Sequence, residues 1–352
     1  MVPFSKSNCS HVRRRGSRGC SNVLGLGWEA KKPKLKNRKV GMGAQRFFVV
    51  ACMAIVWMVA ESVGSDTMPL PFTRELYLTD PPLSGSDVFI ACNLLARDDA
   101  VSMSANKCDY EFDSSDADAT REFQDANGLS SSSEGVVDGE TANALLELHS
   151  ADRYKDSGFT AASMGYKYKF HIPVHMNRSM ETEATLFDAE NRVLMSFKVR
   201  AHGLRDEATD DGWPDFGDGD YGLNEFTSSG NTPTGLVEVD LNSPEPDPDM
   251  YGPWPVNRVV RGVDGNAAIL LPNIRDGILI HTGNWTTDEY GVITPADSMP
   301  NSHGCLHAHP NAVERIQSIL IDLGVTVNDN TYSGKNYPYQ PQGIAVIELI
   351  DQ

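Results

Sequence analysis

The stretch of sequence with the clearest potential for chemistry holds one cysteine among several histidines. Cys305 follows Ser302, His303 and Gly304, and His281 closes an apolar run 24 positions before the cysteine. A thiol is a strong nucleophile only when it is ionised, and histidine is the usual base because its pKa lies near neutrality. These residue types predict nucleophilic catalysis by Cys305, with His281 as the general base.

The glycine beside the cysteine meets a second requirement of acyl transfer, which is a site for a developing oxyanion. Gly304 lets the backbone approach a ligand closely, so the amides around Gly304 and Cys305 are candidate donors. Pro310 suits the first turn of a following helix, and the positive end of that helix would favour a thiolate. These features predict a nucleophilic cysteine beside donors for a developing oxyanion.

Other interpretations of the same residues stay open. His303, Cys305, His307 and His309 alternate along the chain, and with His281 they have the chemistry of a zinc site. An inert buried thiol, a core histidine and a non-catalytic binding protein are further alternatives. The Ser-His-Gly-Cys run is too polar and too rich in glycine for a core strand, which favours the catalytic interpretation.

Two motifs together resemble a known family. The segment Ser302-His303-Gly304-Cys305, downstream of His281, resembles the signature of the L,D-transpeptidase catalytic domain. The segment Asn231-Thr232-Pro233-Thr234-Gly235 resembles the Thr-Pro-x-Gly strand start of that family, and the resemblance covers roughly residues 170–350. It implies that Cys305 is the nucleophile, His281 the base, His303 an orienting group and Gly304 part of the oxyanion hole. It further implies substrate contacts from Ser302, Thr282, Gly283, His307, Tyr251 and Trp254.

The resemblance implies a reaction in two steps, without a metal or another cofactor. Cys305 attacks an L-centred carbonyl in a peptidoglycan stem peptide, and the terminal D-amino acid leaves. An amine of a neighbouring stem then resolves the thioester into a cross-link, whereas water would make the protein an L,D-carboxypeptidase. Two departures affect this expectation: His307 stands where Arg or Asn is usual, and the spacer at 284–300 is long.

Two flanking segments have less specific signals. Residues 242–261 contain five prolines together with Tyr251 and Trp254, and they resemble in position a mobile lid that would shield a thioester from water. An ordinary surface loop explains them nearly as well. Residues 206–220 hold seven acids, among them Asp215, Asp218 and Asp220. Calcium is a conceivable ligand there, but a solvated acidic loop is the simpler interpretation.

A small helical module is predicted at residues 83–150. Val88, Ala91, Cys92 and Leu95 repeat at helical spacing, and two further helices are expected at 116–127 and after Asp138. The module resembles the peptidoglycan-binding domain found beside many wall enzymes. The matching residues are Leu83, Gly85, Asp87, Val88, Phe123, Gln124, Gly128, Leu129, Gly135, Val136, Val137, Asp138, Thr141 and Leu145. A generic three-helix spacer is the alternative.

The N-terminal region predicts export. Residues 1–46 carry twelve Lys or Arg and one acid, a charge of +11 that leaves −29 for the rest of the chain, which argues against nucleic acid as a partner. The apolar run 47–60 within the segment 47–65 predicts a signal peptide or signal anchor, with membrane contact if it is uncleaved. A proline-rich linker follows at 66–82. We therefore expect a location on the cell-wall side of the membrane, periplasmic or extracellular.

The remaining cysteines are too few for a disulfide scaffold. Cys92 and Cys108 are either bridged in an oxidising compartment or separate buried thiols, and Cys305 is left without a partner.

The predicted fold class is α+β, with the helical module followed by a β-rich sandwich or barrel at 166–352. Val193, Met195, Phe197 and Val199 alternate with more polar residues, which predicts a half-buried strand. An amphipathic helix is expected from Pro310, with one face formed by Val313, Ile316, Leu320 and Leu323. Further strands are predicted at 236–241, 267–271, 277–281, 324–327 and 343–350.

Overall fold

The computed structural model describes residues 68–130, 132–203, 224–227, 229–283, 299, 301–331 and 335–350. The predicted leader and signal segment, the acidic segment 206–220 and nearly all of the spacer 284–300 lie outside these ranges. The described residues all lie within one compact unit. No helix among the described residues is both long enough and apolar enough to cross a bilayer.

Three helices form at the predicted positions, and their starts follow from capping side chains. They are α1 Ser86–Leu95, α2 Ser114–Asn127 and α3 Gly139–His149. The carboxylate of Asp113 accepts from the first amides of α2, and Gly128 ends that helix in the left-handed region at φ 69°. Asp138 accepts the Thr141 N–H at the start of α3. These contacts satisfy amides that a helix terminus leaves without intrahelical partners.

Side-chain hydrogen bonds and a disulfide also hold the helical region together, and several of the motif residues take part in these bonds. The amide of Gln124 donates to the Val136 carbonyl at 2.9 Å and to Thr141 Oγ1 at 2.9 Å, and it accepts the Gly135 N–H. A disulfide links Cys92 to Cys108. Of the two alternatives for these cysteines, the disulfide is the one observed in the structure.

The β-rich part closes on itself as a barrel of eight strands in the order β1–β2–β3–β7–β6–β5–β4–β8. The β1–β8 and β6–β7 pairs are parallel, and the other neighbours are antiparallel. Closure removes the exposed sheet edges that a sandwich would keep. The fold is therefore mixed α+β with a barrel. The strands are β1 Tyr168–Val174, β2 Thr182–Asp188, β3 Val193–Arg200, β4 Gly235–Asn242, β5 Val256–Asp264, β6 Leu279–His281, β7 Leu306–Ala308 and β8 Gly343–Leu349.

Three further helices connect these strands, and one contradicts a predicted strand. They are α4 Pro248–Tyr251, α5 Gly265–Leu270 and α6 Pro310–Asp322. The strand predicted at 267–271 is wrong, because Asp264 caps the Gly265 N–H and the chain turns at once into α5. The apolar run there is too short to separate a buried strand from a buried helix by its pattern alone.

The strand predicted at 324–327 is also wrong. The Thr326 N–H donates to the side chain of Gln342 at 2.8 Å, so this backbone group bonds outside a strand ladder. A lone bridge joins Asn328 to Asn242. The predicted face of α6 is confirmed at Val313, Ile316 and Leu320 but not at Leu323, which lies beyond the last helical residue and is exposed.

Candidate active site

Strand pairing brings the two main predicted residues to one side of the barrel wall. Strands β6 and β7 are parallel neighbours, and His281 pairs directly with His307. Their rings meet edge to face with centroids 4.6 Å apart. Cys305 lies two residues before His307, and because side chains alternate along extended chain it shares that side. The site is therefore assembled by residues distant in sequence.

The imidazole of His281 is held in a neutral state. Its side chain is 2% exposed, and its Nδ1 accepts the Gly283 N–H at 3.1 Å. Burial lowers the pKa of His281 well below its usual value, and His307 lowers it further, while a hydrogen bond to the Met250 backbone acts in the opposite direction. A neutral imidazole at physiological pH is the form that can accept a proton.

Cys305 is a free cysteine, and the residue as a whole is half-buried. It donates to the Gly277 carbonyl across a distance of 3.5 Å. Burial raises the pKa of Cys305 to about 11, and this rise is opposed by a hydrogen bond from Leu279 and by the positive charges of Arg258 and Arg275. The thiol is thus protonated at neutral pH and requires a base before it can attack.

Among the described residues, no hydrogen bond joins this thiol to the imidazole. Each group contacts backbone instead, at Gly277 for the thiol and at Gly283 for His281 Nδ1. Catalytic hydrogen bonds are often long or misaligned without substrate and tighten when it binds. Proton transfer from Cys305 to His281 therefore requires a local rearrangement.

The turn that carries Cys305 is fixed by side-chain hydrogen bonds. The hydroxyl of Ser302 accepts the Gly304 N–H at 3.1 Å and donates to the Cys305 carbonyl at 2.7 Å. Thr232, in the other predicted motif, donates to the Gly304 carbonyl at 2.9 Å. The two sequence motifs are therefore in direct contact. The Gly304 N–H, expected to face an oxyanion, bonds Ser302 in this structure.

Gly304 is required by its backbone angle and by its neighbours. Its φ is 103°, and a Cβ at this position would overlap the Arg275 guanidinium. We expect Gly304→Ala to lower the free energy of unfolding by about 2–4 kcal/mol, because strain at positive φ adds to displacement of a buried charge. Chemical denaturation measures this loss.

Gly324→Ala is the matched control. Its φ is 78°, but nothing lies within 4 Å of the added Cβ, so only the backbone strain of about 1–2 kcal/mol should appear. Equal losses in the two variants would contradict a specific overlap with Arg275.

Two arginines of the site were missed by the sequence analysis. Arg258 in β5 is 1% exposed and pairs in register with Leu279. It donates to Asn242 at 3.1 Å and bonds Glu245. Arg275 is 4% exposed and donates a hydrogen bond to the His303 carbonyl, in the turn that carries Cys305. A single Arg carries no periodic or motif signal, so neither residue could be recognised before the fold was known.

The other predicted residues differ in their closeness to the thiol. The ring of His303 is exposed and hydrogen-bonds Ser229 at 3.1 Å. Gly283 packs directly on the His307 ring. Thr282 is buried beneath Gly252. The structure thus groups His281, Thr282, Gly283 and His307, with His303 at the rim.

The predicted lid segment lies over this group. Tyr251 ends the short helix α4 and packs on His281 with ring centroids 4.8 Å apart. Gly252 fits between Trp254 and Thr282. Burial raises the pKa of Tyr251, and negative charge at Cys305 adds to the rise. The aromatic residues of this segment therefore contact the candidate base and lie near the thiol.

The alternative of a zinc site has no support in the part of the chain that the structure describes. No three His, Cys, Asp or Glu side chains there are grouped so that they could hold a metal ion. His309 Nδ1 accepts the Asn311 N–H at the start of α6. His303 bonds Ser229. The alternating histidines therefore serve different local functions.

Comparisons with protein-family models, with curated proteins and with solved structures each found no match to this chain.

Proposed function

We propose that this protein is a cysteine acyltransferase of the L,D-transpeptidase type that acts on peptidoglycan stem peptides. The observation that carries the proposal is the bond from Thr232 to the Gly304 carbonyl. It places the Thr-Pro-x-Gly segment against the turn of an unpaired cysteine, next to a neutral strand-end histidine. Such an arrangement has the parts that thiol acyl transfer needs.

The charged groups around Cys305 favour a reactive thiol, whereas burial raises its pKa, so that a base must act before it attacks. An inert cysteine is usually enclosed by apolar side chains, whereas Cys305 is half-buried and lies near the charges of Arg258 and Arg275. The neutral His281 is suited to take the thiol proton. The aromatic lid at Tyr251 would limit access of water to an acyl intermediate.

The proposed reaction follows from these groups. The Cys305 thiol gives its proton to His281, and its sulfur attacks an L-centred carbonyl of the donor stem. The amide bond to the terminal D-amino acid breaks, and the amine leaves with a proton from the imidazolium. An amine of an acceptor stem then attacks the thioester, which forms the cross-link and restores the thiol. Water in place of the acceptor amine would give the L,D-carboxypeptidase reaction.

The helical region fits the same proposal. Gln124 bonds Gly135 and Thr141 and so holds α2 to the following segment, and all three residues belong to the motif that resembles a peptidoglycan-binding module. The Cys92–Cys108 disulfide suits an oxidising location outside the cytoplasm. A protein exported to the cell-wall side and binding wall polymer is the consistent assignment.

The test is intact-mass analysis after incubation with a carbapenem or a tetrapeptide stem. We expect one covalent adduct that maps to Cys305 and is lost in Cys305→Ala. A chelator should leave the adduct unchanged, because the thiol reacts without a metal. An adduct that survives Cys305→Ala, or a folded wild-type protein without one, would contradict the proposal. Wall binding without an adduct would instead identify a non-catalytic binder.

A further inference from the structure

Arg275 has an unusual environment for a buried cation. Its Nη1 donates to the carbonyls of Glu225 and Asn231, each at 2.6 Å. Its Nη2 donates to the carbonyls of Gly230 at 2.9 Å and His303 at 3.2 Å. All four acceptors belong to the backbone. Among the described residues, no carboxylate forms an ion pair with this guanidinium.

The nearest acid is already engaged elsewhere. The carboxylate of Glu225 binds Arg178 and accepts from Thr234 and Asn266. Burying a charge costs several kcal/mol; for Arg275 this cost is offset by the four carbonyl acceptors and by the nearby negative charge of Glu225. Burial lowers the pKa of Arg275 to about 10, which still leaves it charged at neutral pH.

The guanidinium lies directly beneath the reactive turn. Its Nη2 occupies the space that a Cβ at Gly304 would need, and its bond to the His303 carbonyl holds the residue before that glycine. Besides the Glu225 carboxylate, which is shared with Arg178, the group whose negative charge acts on this guanidinium is the thiol of Cys305. Arg275 thus stands where it can both hold the turn and attract a thiolate.

We infer that Arg275 is the positioning residue of Cys305: it holds the nucleophile turn through the His303 carbonyl and stabilises the thiolate by its charge. This inference rests on the proposed function, since it assigns a nucleophilic role to Cys305. The residue acts through the thiol and does not itself contact the reacting atoms.

Other charged or titratable groups also act on the thiol. Arg258 lies across β6 and adds positive charge, whereas Glu245, its ion-pair partner, opposes it. Tyr251 faces the thiol from the lid, and His281 lies on the adjacent strand. Arg258 has the larger direct effect on the thiol but is partly neutralised by Glu245, whereas no carboxylate among the described residues forms an ion pair with Arg275.

The experiment compares alkylation rates of Cys305 in the full chain. Wild type, Arg275→Gln and Arg275→Lys react with iodoacetamide at pH 8.5, and the peptide containing Cys305 is quantified by mass spectrometry. Below its pKa a thiol reacts in proportion to its thiolate fraction. Loss of a nearby charge raises a thiol pKa by about one unit or more, so Arg275→Gln should react roughly tenfold more slowly.

The direction of the change in alkylation rate distinguishes an electrostatic role of Arg275 from a purely structural one. A purely structural role predicts faster alkylation, because a loosened turn exposes the thiol. Arg275→Lys keeps the charge and should stay within about threefold of wild type. Arg74→Gln, which removes an arginine that pairs with Asp87 and bonds the Ser84 carbonyl in the helical region, should leave the rate unchanged. A folded Arg275→Gln that reacts as fast as wild type or faster would overturn the inference.

If Arg275→Gln does not fold, the pH dependence of alkylation in the wild type and in Arg275→Lys tests the inference instead. The wild-type rate should rise about tenfold per pH unit from pH 7 to 10. The rise in Arg275→Lys should become shallower above about pH 9, since a buried ammonium loses its proton at lower pH than a guanidinium. Parallel profiles would overturn the inference. Because alkylation needs no stem peptide, a missing acyl adduct beside a normal Arg275 effect would contradict only the proposed reaction.

Discussion

Replacing His281 with glutamine is expected to slow acylation of Cys305 by about 100- to 10,000-fold, the usual contribution of a general base. The variant keeps a polar side chain of similar length but cannot take the thiol proton. The measurement is the rate of adduct formation with a tetrapeptide stem or a carbapenem, followed by intact mass. Melting temperature serves to show that the variant is folded.

The pH profile of the same reaction gives a sharper form of this prediction. In the wild type His281 is neutral, because its pKa is well below the usual value, and the Cys305 thiol stays protonated up to about pH 11. Acylation should therefore be nearly flat between about pH 6 and 9. Without the base, the rate should follow the thiolate fraction and rise about tenfold per pH unit.

His303→Gln is the matched control. The ring of His303 is exposed and bonds Ser229, so we expect less than about a tenfold change and a profile of wild-type shape. A large loss in His303→Gln together with a small loss in His281→Gln would exchange the roles assigned to the two histidines.

The second large effect is expected at Glu225, the centre of a buried network. Its carboxylate pairs with Arg178 and accepts from the Thr234 N–H at 2.8 Å and from Asn266 Nδ2 at 2.7 Å. Glu225→Ala leaves the buried Arg178 without its counter-charge. We expect a loss of about 3–5 kcal/mol in the free energy of unfolding, measured by chemical denaturation.

The control is Glu190→Ala, which removes an exposed partner of Arg192. Exposed ion pairs contribute little, so the loss should stay below about 1 kcal/mol. A loss at Glu225 as small as the loss at Glu190 would show that the buried network is dispensable for stability.

The Glu225 network also joins the helical region to the site. Asn266 donates to the Ser150 carbonyl at 2.7 Å and accepts from Arg97 at 2.6 Å. Asp152 accepts from Thr234, two residues after Thr232 in the second motif. Loosening this network should therefore also disturb the turn of Cys305. Acylation of the Glu225→Ala variant can be measured in the same assay.

Local patterns predicted part of the fold well. The helices at α1, α2, α3 and α6 were recognisable because apolar spacing and capping residues act over a few neighbouring positions. Strand β3 was recognisable by its alternation, although Val193 at its start is 63% exposed. The short strand β7 was not recognised, because three residues are too few to show a period.

The amino-acid sequence by itself determined which reactive groups the protein has: an unpaired cysteine in a glycine-containing turn, a histidine closing an apolar strand, and the spacing between them. Only the tertiary structure decided the closed barrel, the contact between the two motifs and the charges around the thiol. Arg275 lies 30 residues before Cys305, and Thr232 lies 73 residues before it. Strand pairing brings such residues together, and no local pattern encodes which buried guanidinium will lie beneath the nucleophile.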